Sequence, residues 1–321
     1  MFVDLPLDEL RGYRPVVAEP ADFDAFWSGQ LSDTVSDAAQ FRPVDTLLTH
    51  AEVFDVTFPG YGRDPVAGWL LVPHRLRDDA VVVIEYAGYN GGRGHPLDWS
   101  RWACAGHVHF VMDSRGQGGG WRSADTPDPS DDGAPSTNGF LTRGVGDPRR
   151  YYYTRLFVDA VRAVDAARQH PAVASRPVVT AGASQGGGLA LAAAHLAEAV
   201  AATVPDVPFL AHPHRAVEIT GVAPYGELIE YCALHPDRVD QVFQTLSYVD
   251  VVNHAKRSSV PALFSVGLLD DITPASTVFA AFNHYAGEKD IKVYPFGDHQ
   301  CAGTHHFLAQ LEFVAEFVAR L

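Results

Sequence analysis

The chain is poor in three features that mark specialised classes of protein: cysteine, long apolar runs and positive charge. Its 321 residues include 3 cysteines, Cys104, Cys232 and Cys301, an odd number without a C-x-x-C spacing. Such a set is neither a disulfide framework nor a zinc site, and it favours a reduced, cytoplasmic setting. No apolar run approaches the roughly 20 residues that a membrane-spanning helix needs. We therefore expect no bound metal and no membrane segment.

The charge balance narrows the choice of partners. Asp and Glu number 39 against 24 Lys and Arg, which gives a formal net charge of −15. Phosphate binding needs clustered Lys and Arg, so this balance argues against nucleic acid and anionic membranes as partners. The N-terminal stretch MFVDLPLDEL carries acids where a secretory signal carries basic residues and an apolar run. We expect a soluble protein whose partner is a neutral or weakly charged small substrate.

What the chain does have is an alternation of short apolar runs with helical patterns. The apolar runs, typical of strands buried on both faces of a parallel sheet, cover residues 80–86, 107–112, 177–181, 201–204, 262–266 and 291–294. The helical patterns cover residues 21–31, 152–168, 187–199, 274–285 and 304–321. Asp22 is the expected cap of the first of them. The alternation predicts the α/β class, with a mostly parallel central sheet flanked by helices in one domain over residues 1–321.

Two stretches depart from this alternation. Residues 53–58 and 68–72 are typical of two antiparallel strands joined by a turn at residues 59–65, and they predict an N-terminal antiparallel extension of the sheet. Residues 116–150 are rich in Gly, Pro, Ser and Asp and show no periodicity. A loop of that length is unusual in a compact domain, which indicates a functional or interfacial role.

A candidate nucleophile stands between a predicted strand and a predicted helix. Residues 182–186 read Gly-Ala-Ser-Gln-Gly, a G-x-S-x-G pattern centred on Ser184. On a tight strand-to-helix turn the serine hydroxyl projects above the sheet edge, and the glycines avoid a backbone clash. The backbone N–H of Gln185 then faces the oxygen that becomes charged during attack on an ester. The pattern and its context predict an α/β-hydrolase fold with Ser184 as nucleophile.

A nucleophilic serine needs a base and an orienting acid, and in this fold both follow it along the chain. After one late strand, Asp270 is the better candidate for the acid and Asp271 is the alternative. After the next strand, His299 falls where the general base belongs. His305 and His306 are near rivals, but both fall in the predicted final helix.

Two loops after early strands complete the predicted site. The glycine-rich loop after the first apolar run can present the backbone N–H of Tyr89 as an oxyanion donor beside that of Gln185. Arg115, Gly116 and Gln117 follow the second apolar run. The planar Arg115 side chain can brace loops at the sheet edge or bind a substrate carboxylate. Bracing is favoured, because an esterase of neutral substrates needs no cation there.

Large side chains near these loops predict a small pocket for the acyl group. Trp121 follows the Arg115 motif, and Tyr89 lies on the oxyanion loop. Pro224 and Tyr225, between the nucleophile and the acid, can close the opposite side. Such walls leave room for a methyl group and little more. The alternative role for Trp121 is packing in an interface.

Together these motifs resemble one family, the acetyl xylan esterases and cephalosporin C deacetylases of carbohydrate esterase family seven. The resemblance rests on Arg-Gly-Gln at 115–117, Gly-Ala-Ser-Gln-Gly-Gly at 182–187 and Gly-Leu-Leu-Asp at 267–270. Residues 151–153, 245–248 and 276–281 add to it, and it runs from about residue 5 to the C-terminus. There is one departure. The family usually has Gly-His-Glu at the base, whereas residues 297–300 read Gly-Asp-His-Gln.

The resemblance implies an α/β-hydrolase that removes acetyl groups from xylo-oligosaccharides and from cephalosporins. It implies Ser184 as nucleophile, Asp270 as acid and His299 as base, with the amides of Tyr89 and Gln185 as the oxyanion hole. It also implies a cytoplasmic homohexamer, a trimer of dimers, without metal or organic cofactor. Rival interpretations on the same fold are a lactonase, a peptidase, and a hydrolase-like protein that binds without turnover.

Overall fold

The computed structural model describes residues 4–32, 38–129 and 138–321, and its strands form a single sheet. The strands are β1 (Gln40–Val44), β2 (Ala51–Pro59), β3 (Pro65–Pro73), β4 (Val82–Tyr86), β5 (Val108–Met112), β6 (Val178–Ala183), β7 (Val200–Asp206), β8 (Ala262–Gly267) and β9 (Lys289–Tyr294). Their order across the sheet is β1-β2-β3-β5-β4-β6-β7-β8-β9. Strands β1, β2, β3 and β5 pair antiparallel in that order, and β5, β4, β6, β7, β8 and β9 pair parallel. The predicted parallel sheet with an antiparallel extension is confirmed.

Helices connect the strands and cover the sheet. They are α1 (Leu7–Gly12), α2 (Phe23–Leu31), α3 (Ser100–Cys104), α4 (Tyr152–Ala167), α5 (Gln185–Leu196), α6 (Pro213–Ile219), α7 (Tyr225–Leu234), α8 (Val239–Val249), α9 (Val251–Ala255), α10 (Ala275–His284) and α11 (Thr304–Val318). The described residues of the segment 116–150 form neither helix nor strand, in agreement with the predicted loop. Across the described ranges, every helix is too short or too polar to serve as a membrane span.

The two faces of the sheet are buried against different helices. On one face, α4 and α5 pack on strand side chains that include Val82, Ile84, Phe110 and Val178. On the other, Trp102 of α3 and Phe307, Val314 and Phe317 of α11 pack on Val81, Val83, Val179 and Val204. Burial on both faces explains why the central strands are continuous apolar runs in the sequence. The carboxyl ends of the parallel strands remain free to carry a site.

The structure differs from the sequence predictions in several details, among them the short helices α1 and α3, which the sequence analysis does not predict. Asp22 precedes α2 but makes no capping bond, and its carboxylate accepts the Tyr248 hydroxyl at 2.7 Å instead. Strand β1 was not predicted, because its sequence QFRPV contains a proline and no clear alternation. The four helices α6 to α9 between β7 and β8 were not predicted either. Neighbouring segments of mixed periodicity obscure short helices such as these.

Candidate active site

The turn from β6 into α5 holds Ser184 in a conformation that few residues adopt. Its backbone has φ 59° and ψ −119°, in the left-handed half of conformational space. Gly186 is required two residues later, because a Cβ there would lie 2.1 Å from the carbonyl oxygen of Tyr86. This close approach packs the end of β4 on the first turn of α5. The serine is thereby presented at the carboxyl end of β6, beside the positive end of a helix.

A buried carboxylate orients the predicted base. Asp270 is fully buried, and its Oδ2 atom lies 2.8 Å from Nδ1 of His299. The backbone N–H groups of Ile272 and Thr273 donate to Oδ1 at 2.8 and 2.9 Å, and the Thr273 hydroxyl donates to Oδ2 at 2.7 Å. Since Asp270 occupies Nδ1, the Nε2 atom of His299 is left to take up or release a proton.

The structure distinguishes the candidate acids and histidines. Asp271 is exposed, and its backbone carbonyl rather than its carboxylate accepts a hydrogen bond. His305 is exposed at the start of α11, whereas His306 is buried with partners on both ring nitrogens. Of the predicted candidates, Asp270 and His299 contact each other, and His299 lines the same cavity as Ser184.

Two buried glutamine side chains join the loops that carry the predicted oxyanion donors, Tyr89 and Gln185. Oε1 of Gln117 accepts the backbone N–H of Asn90 at 2.6 Å, and its Nε2 donates to Oε1 of Gln185 at 2.8 Å. Nε2 of Gln185 donates in turn to the carbonyl oxygen of Ala87 at 3.2 Å. The separation between the two loops is therefore set by contacts among buried amides, which favours a preformed pair of N–H groups.

The side chain of Tyr89 anchors its loop to a distant helix. Its hydroxyl donates to the carboxylate of Glu227 in α7 and accepts the backbone N–H groups of Gly139 and Phe140 at 3.2 and 3.1 Å. Burial and the adjacent carboxylate hold the pKa of Tyr89 well above its ordinary value. Glu227 was not among the predicted residues, since it lies 138 positions away from its partner.

The motif formed by Arg115, Gly116 and Gln117 lies behind the site rather than in it. Arg115 is fully buried and forms two hydrogen bonds of 2.6 and 2.8 Å with Asp159 of α4. A third bond of 3.1 Å reaches Asp64, in the extension between β2 and β3. Gly116 has φ +64°, which a larger residue adopts only with strain. The guanidinium group braces the loops, and Gln117 carries that support to the serine turn.

A single cavity of about 660 Å³ contains the serine and the base. Its lining includes Tyr89, Trp121, Ser184, Pro224, Ile272 and His299, and also Glu85, Trp99, His109, Arg122, Asp206 and His306. Trp121 is 57% exposed, and its Nε1 donates to the carbonyl oxygen of Tyr89 at 2.9 Å. Tyr225 does not line the cavity, although the sequence predicts that it closes one side of the acyl pocket. It is fully buried, and its hydroxyl accepts the N–H of Leu210.

The charged groups of the cavity are mostly paired. Burial alone would raise the pKa of Glu85, but the ring of His109 at 2.9 Å holds it below its ordinary value.

Cys301 also lines the cavity, and burial raises the pKa of its thiol to about 12. A thiol with that pKa remains protonated near neutral pH and is a poor nucleophile. Ser184 therefore has no competing nucleophile in Cys301.

The described residues contain no cluster of three or more side chains that suits a metal ion.

The residues that sequence reasoning missed are the supporting ones, such as Thr273 and Glu227. Thr273 could have been found from the sequence. A threonine three residues after an acid often donates hydrogen bonds to its carboxylate from both the backbone N–H and the side-chain hydroxyl. Glu227 could not have been found in this way, because its partners come from other loops.

Comparison with known proteins gives matches over nearly the whole chain. A profile of the acetyl xylan esterase (AXE1) family matches residues 1–317. The acetyl esterase Axe7A of Xylanibacter ruminicola is 26% identical over 309 residues, which are 93% of this chain and 67% of that protein.

Solved structures agree with the sequence matches. The acetyl xylan esterase from Paenibacillus sp. R4 is 35% identical, with a TM-score of 0.88 over 97% of this chain and 99% of that one. Acetyl xylan esterase 1 from Thermoanaerobacterium sp. is 31% identical, with a TM-score of 0.87 over 98% and 99%. An acylaminoacyl peptidase from Pyrococcus horikoshii, 15% identical with a TM-score of 0.60, covers 85% of this chain and 42% of its own and shares the fold alone.

Proposed function

Because the chain belongs to the acetyl xylan esterase family, and is thus a carboxylic ester hydrolase acting on acetyl esters, we propose that Ser184 carries the reaction as a nucleophile. The observation that supports this most is the contact of the buried Asp270 with His299, which lines the same cavity as Ser184. A serine on such a turn, a base and an orienting acid are the parts that acyl transfer requires.

The first half of the reaction transfers the acetyl group to the protein. Nε2 of His299 takes the hydroxyl proton of Ser184 as the oxygen attacks the carbonyl carbon of the ester. The backbone N–H groups of Tyr89 and Gln185 donate to the resulting oxyanion. The bond to the alcohol then breaks, and His299 returns the proton to the departing alcohol oxygen. The products are a free alcohol and an acetyl-serine.

The second half releases acetate. Nε2 of His299 takes a proton from a water molecule, whose oxygen attacks the acetyl carbon. The same two N–H groups stabilise the second oxyanion, and its collapse breaks the bond to Ser184. The proton on His299 returns to the serine oxygen. One water molecule is consumed, acetic acid is formed, and the enzyme is regenerated.

We propose acetylated xylo-oligosaccharides and cephalosporin-type acetates as the substrates. A cavity of about 660 Å³ lies within the range of roughly 300–1,000 Å³ that small-molecule sites occupy. Trp121, Tyr89 and Pro224 bind the substrate next to Ser184 in this proposal, and they limit the acyl group to a short chain. Arg115 is fully buried behind the site, so binding of a substrate carboxylate by that residue is not proposed.

We also propose a cytoplasmic homohexamer assembled as a trimer of dimers. All three cysteines are unpaired, which suits a reducing compartment. Apolar side chains such as Leu97, Leu234 and Phe296 are 60%, 79% and 87% exposed, and an interface that covered them would remove apolar area from water. Sedimentation equilibrium measures the assembly directly, and a monomer at micromolar concentration would contradict this part of the proposal.

The test of the proposed function compares the protein with its Ser184→Ala variant on a panel of esters, amides and lactones. We expect the wild-type protein to release acetate from acetylated xylobiose and from 4-nitrophenyl acetate. The variant should lose about six orders of magnitude in kcat while its thermal unfolding is unchanged. A variant that keeps a tenth of the activity would place the nucleophile elsewhere. Faster turnover of amides or lactones than of acetyl esters would favour the peptidase or lactonase instead.

A further inference from the structure

The partly buried Asp206 and the buried His306 form an acid–histidine pair that lines the same cavity as Ser184 and His299 and takes no part in the proposed reaction. Oδ1 of Asp206 accepts hydrogen bonds from Nε2 of His306 and from the Ser265 hydroxyl, the latter at 3.0 Å. Its Oδ2 accepts Nε2 of Gln310 at 2.6 Å. Nδ1 of His306 lies 2.9 Å from the hydroxyl of Tyr294. Both carboxylate oxygens and both ring nitrogens therefore have partners.

Asp206 connects this network to the segments that carry the nucleophile and the acid. It is the last residue of β7, and its backbone carbonyl accepts the N–H of Ser184 at 3.0 Å. Its carboxylate is bonded to Ser265 of β8, the strand that leads into Asp270. One residue thus contacts the serine turn through its backbone and the acid-bearing strand through its side chain.

His306 connects the network to the segment that carries the base. Residues 295–303 join β9 to α11, and they include His299. Tyr294 directly precedes this segment and His306 lies just after it, so their hydrogen bond ties its two ends together. Most side chains within the segment are exposed or half-exposed, and Phe296 is an example. Within the segment the backbone carbonyl of Gly297 accepts the N–H of Leu269 at 2.9 Å, and the hydrogen bond between Tyr294 and His306 adds a second attachment at its ends.

From this arrangement we propose that Asp206 and His306 are positioning residues for catalysis, which hold the His299 segment in place against the Ser184 turn. Neither side chain touches the reacting atoms in this proposal, and each acts through His299. A displacement of a catalytic group by about 1 Å can cost roughly a hundredfold in rate, so a hydrogen-bonded clamp of this kind has a measurable effect. The inference rests on the proposed roles of Ser184 and His299.

The choice of leaving group separates a positioning effect from general damage to the fold. A sugar or alkyl alcohol leaves as a poor anion and needs the proton that His299 returns to it. A 4-nitrophenolate leaves as a stable anion and depends far less on that proton. A displaced His299 therefore slows alkyl acetates more than 4-nitrophenyl acetate, whereas a loss of folded protein slows both equally.

The experiment uses Asp206→Asn and Tyr294→Phe, with His305→Ala, on the helix that carries His306, as the control. Asp206→Asn retains the backbone carbonyl that holds Ser184, and Tyr294→Phe deletes one hydroxyl. For acetylated methyl xyloside we expect kcat/KM, which reports formation of the acetyl-serine, to fall about 10- to 100-fold. For 4-nitrophenyl acetate we expect a several-fold smaller loss in kcat/KM, because its leaving group does not need the proton from His299. For His305→Ala we expect no change on either substrate. Equal losses on the two substrates, or full activity in both variants, would overturn the proposal.

A second measurement tests the route of the effect through His299. In a His299→Ala background, Asp206→Asn should cause no further loss of the residual activity, because groups that act as one unit are not additive. A further loss as large as that in the wild-type background would show an independent, structural role and overturn the proposal. If Asp206→Asn does not fold, Tyr294→Phe decides the outcome by the same two measurements. Full activity of His299→Ala itself would instead refute the proposed function.

Discussion

The replacement Asp270→Asn is the sharpest test of how the base is oriented. Two backbone N–H groups, those of Ile272 and Thr273, donate to Oδ1 of the carboxylate. The asparagine oxygen therefore takes the place of Oδ1, and its NH₂ group takes the place of Oδ2, facing Nδ1 of His299. An NH₂ donor at that position requires Nδ1 to be unprotonated. The proton then resides on Nε2, which can no longer accept the proton of Ser184.

The size of the loss follows from the cheaper of two arrangements. In the first, the wrong tautomer costs about four orders of magnitude, as for serine hydrolases that lose the charge of the orienting acid, or about 5 kcal/mol. In the second, the amide flips and its NH₂ group opposes the two backbone donors. Each unsatisfied donor then costs roughly 1–3 kcal/mol. Two such donors cost roughly 2–6 kcal/mol, so we expect kcat/KM of Asp270→Asn to fall about thirty- to ten-thousandfold.

The assay is steady-state hydrolysis of 4-nitrophenyl acetate, with thermal unfolding as the check on folding. Asp271→Asn is the matched control, because Asp271 is exposed and its hydrogen bond uses the backbone carbonyl, which the substitution keeps. Nitrogen NMR of the His299 ring reports which ring nitrogen carries the proton. Activity of Asp270→Asn within tenfold of the wild type, or a larger loss in Asp271→Asn, would refute the reasoning and move the acid to Asp271.

Three further predictions concern other features of the structure. Gly186→Ala should prevent folding or abolish activity, because its Cβ would lie 2.1 Å from a backbone oxygen. The control is Gly29→Ala, within α2, where a Cβ would meet no other atom. This substitution should raise the free energy of unfolding, measured in urea, by about 0.5–1 kcal/mol. Burial raises the pKa of Asp250 from 3.8 to about 7. The folded protein thus keeps a proton that the unfolded chain releases, and stability falls as pH rises from about 4 to 7. Asp250→Asn should raise Tm at pH 8 and leave it unchanged near pH 3; equal shifts at both would contradict this. Trp121→Ala should narrow the preference for 4-nitrophenyl acetate over butyrate in kcat/KM, and an unchanged ratio would leave Trp121 without a role in acyl size.

The parts of the site that sequence reasoning reached are those fixed by short-range patterns. The G-x-S-x-G turn combines a buried strand, glycines and a helix start within about ten residues, so Ser184 stands out locally. Asp270 and His299 follow late strands, and the carboxyl ends of parallel strands meet at one edge of the sheet. The sequence leaves Asp271 open as the acid, because adjacent residues share the same strand end and differ only in burial.

The supporting contacts were out of reach because they join residues far apart in the chain. Gln117 and Gln185 are separated by 68 positions, and Asp206 and His306 by 100. No periodicity or motif records which buried polar groups will meet after folding. The prediction that Asp22 caps α2 was wrong for a related reason. Its carboxylate accepts a hydrogen bond from the hydroxyl of Tyr248, which lies 226 positions away, instead of one from the helix backbone. Tertiary contacts of this kind override local preferences.

The two edges of the sheet bear on how copies of the protein associate. At one edge, β1 contains Pro43, which has no N–H to offer a neighbouring strand, beside the charged Arg42. At the other edge, β9 carries Lys289, Asp290 and Lys292. A foreign strand that paired there would have to remove these charges from water, which disfavours growth of a continuous sheet between molecules. Strand pairing between molecules is therefore disfavoured at both edges of the sheet.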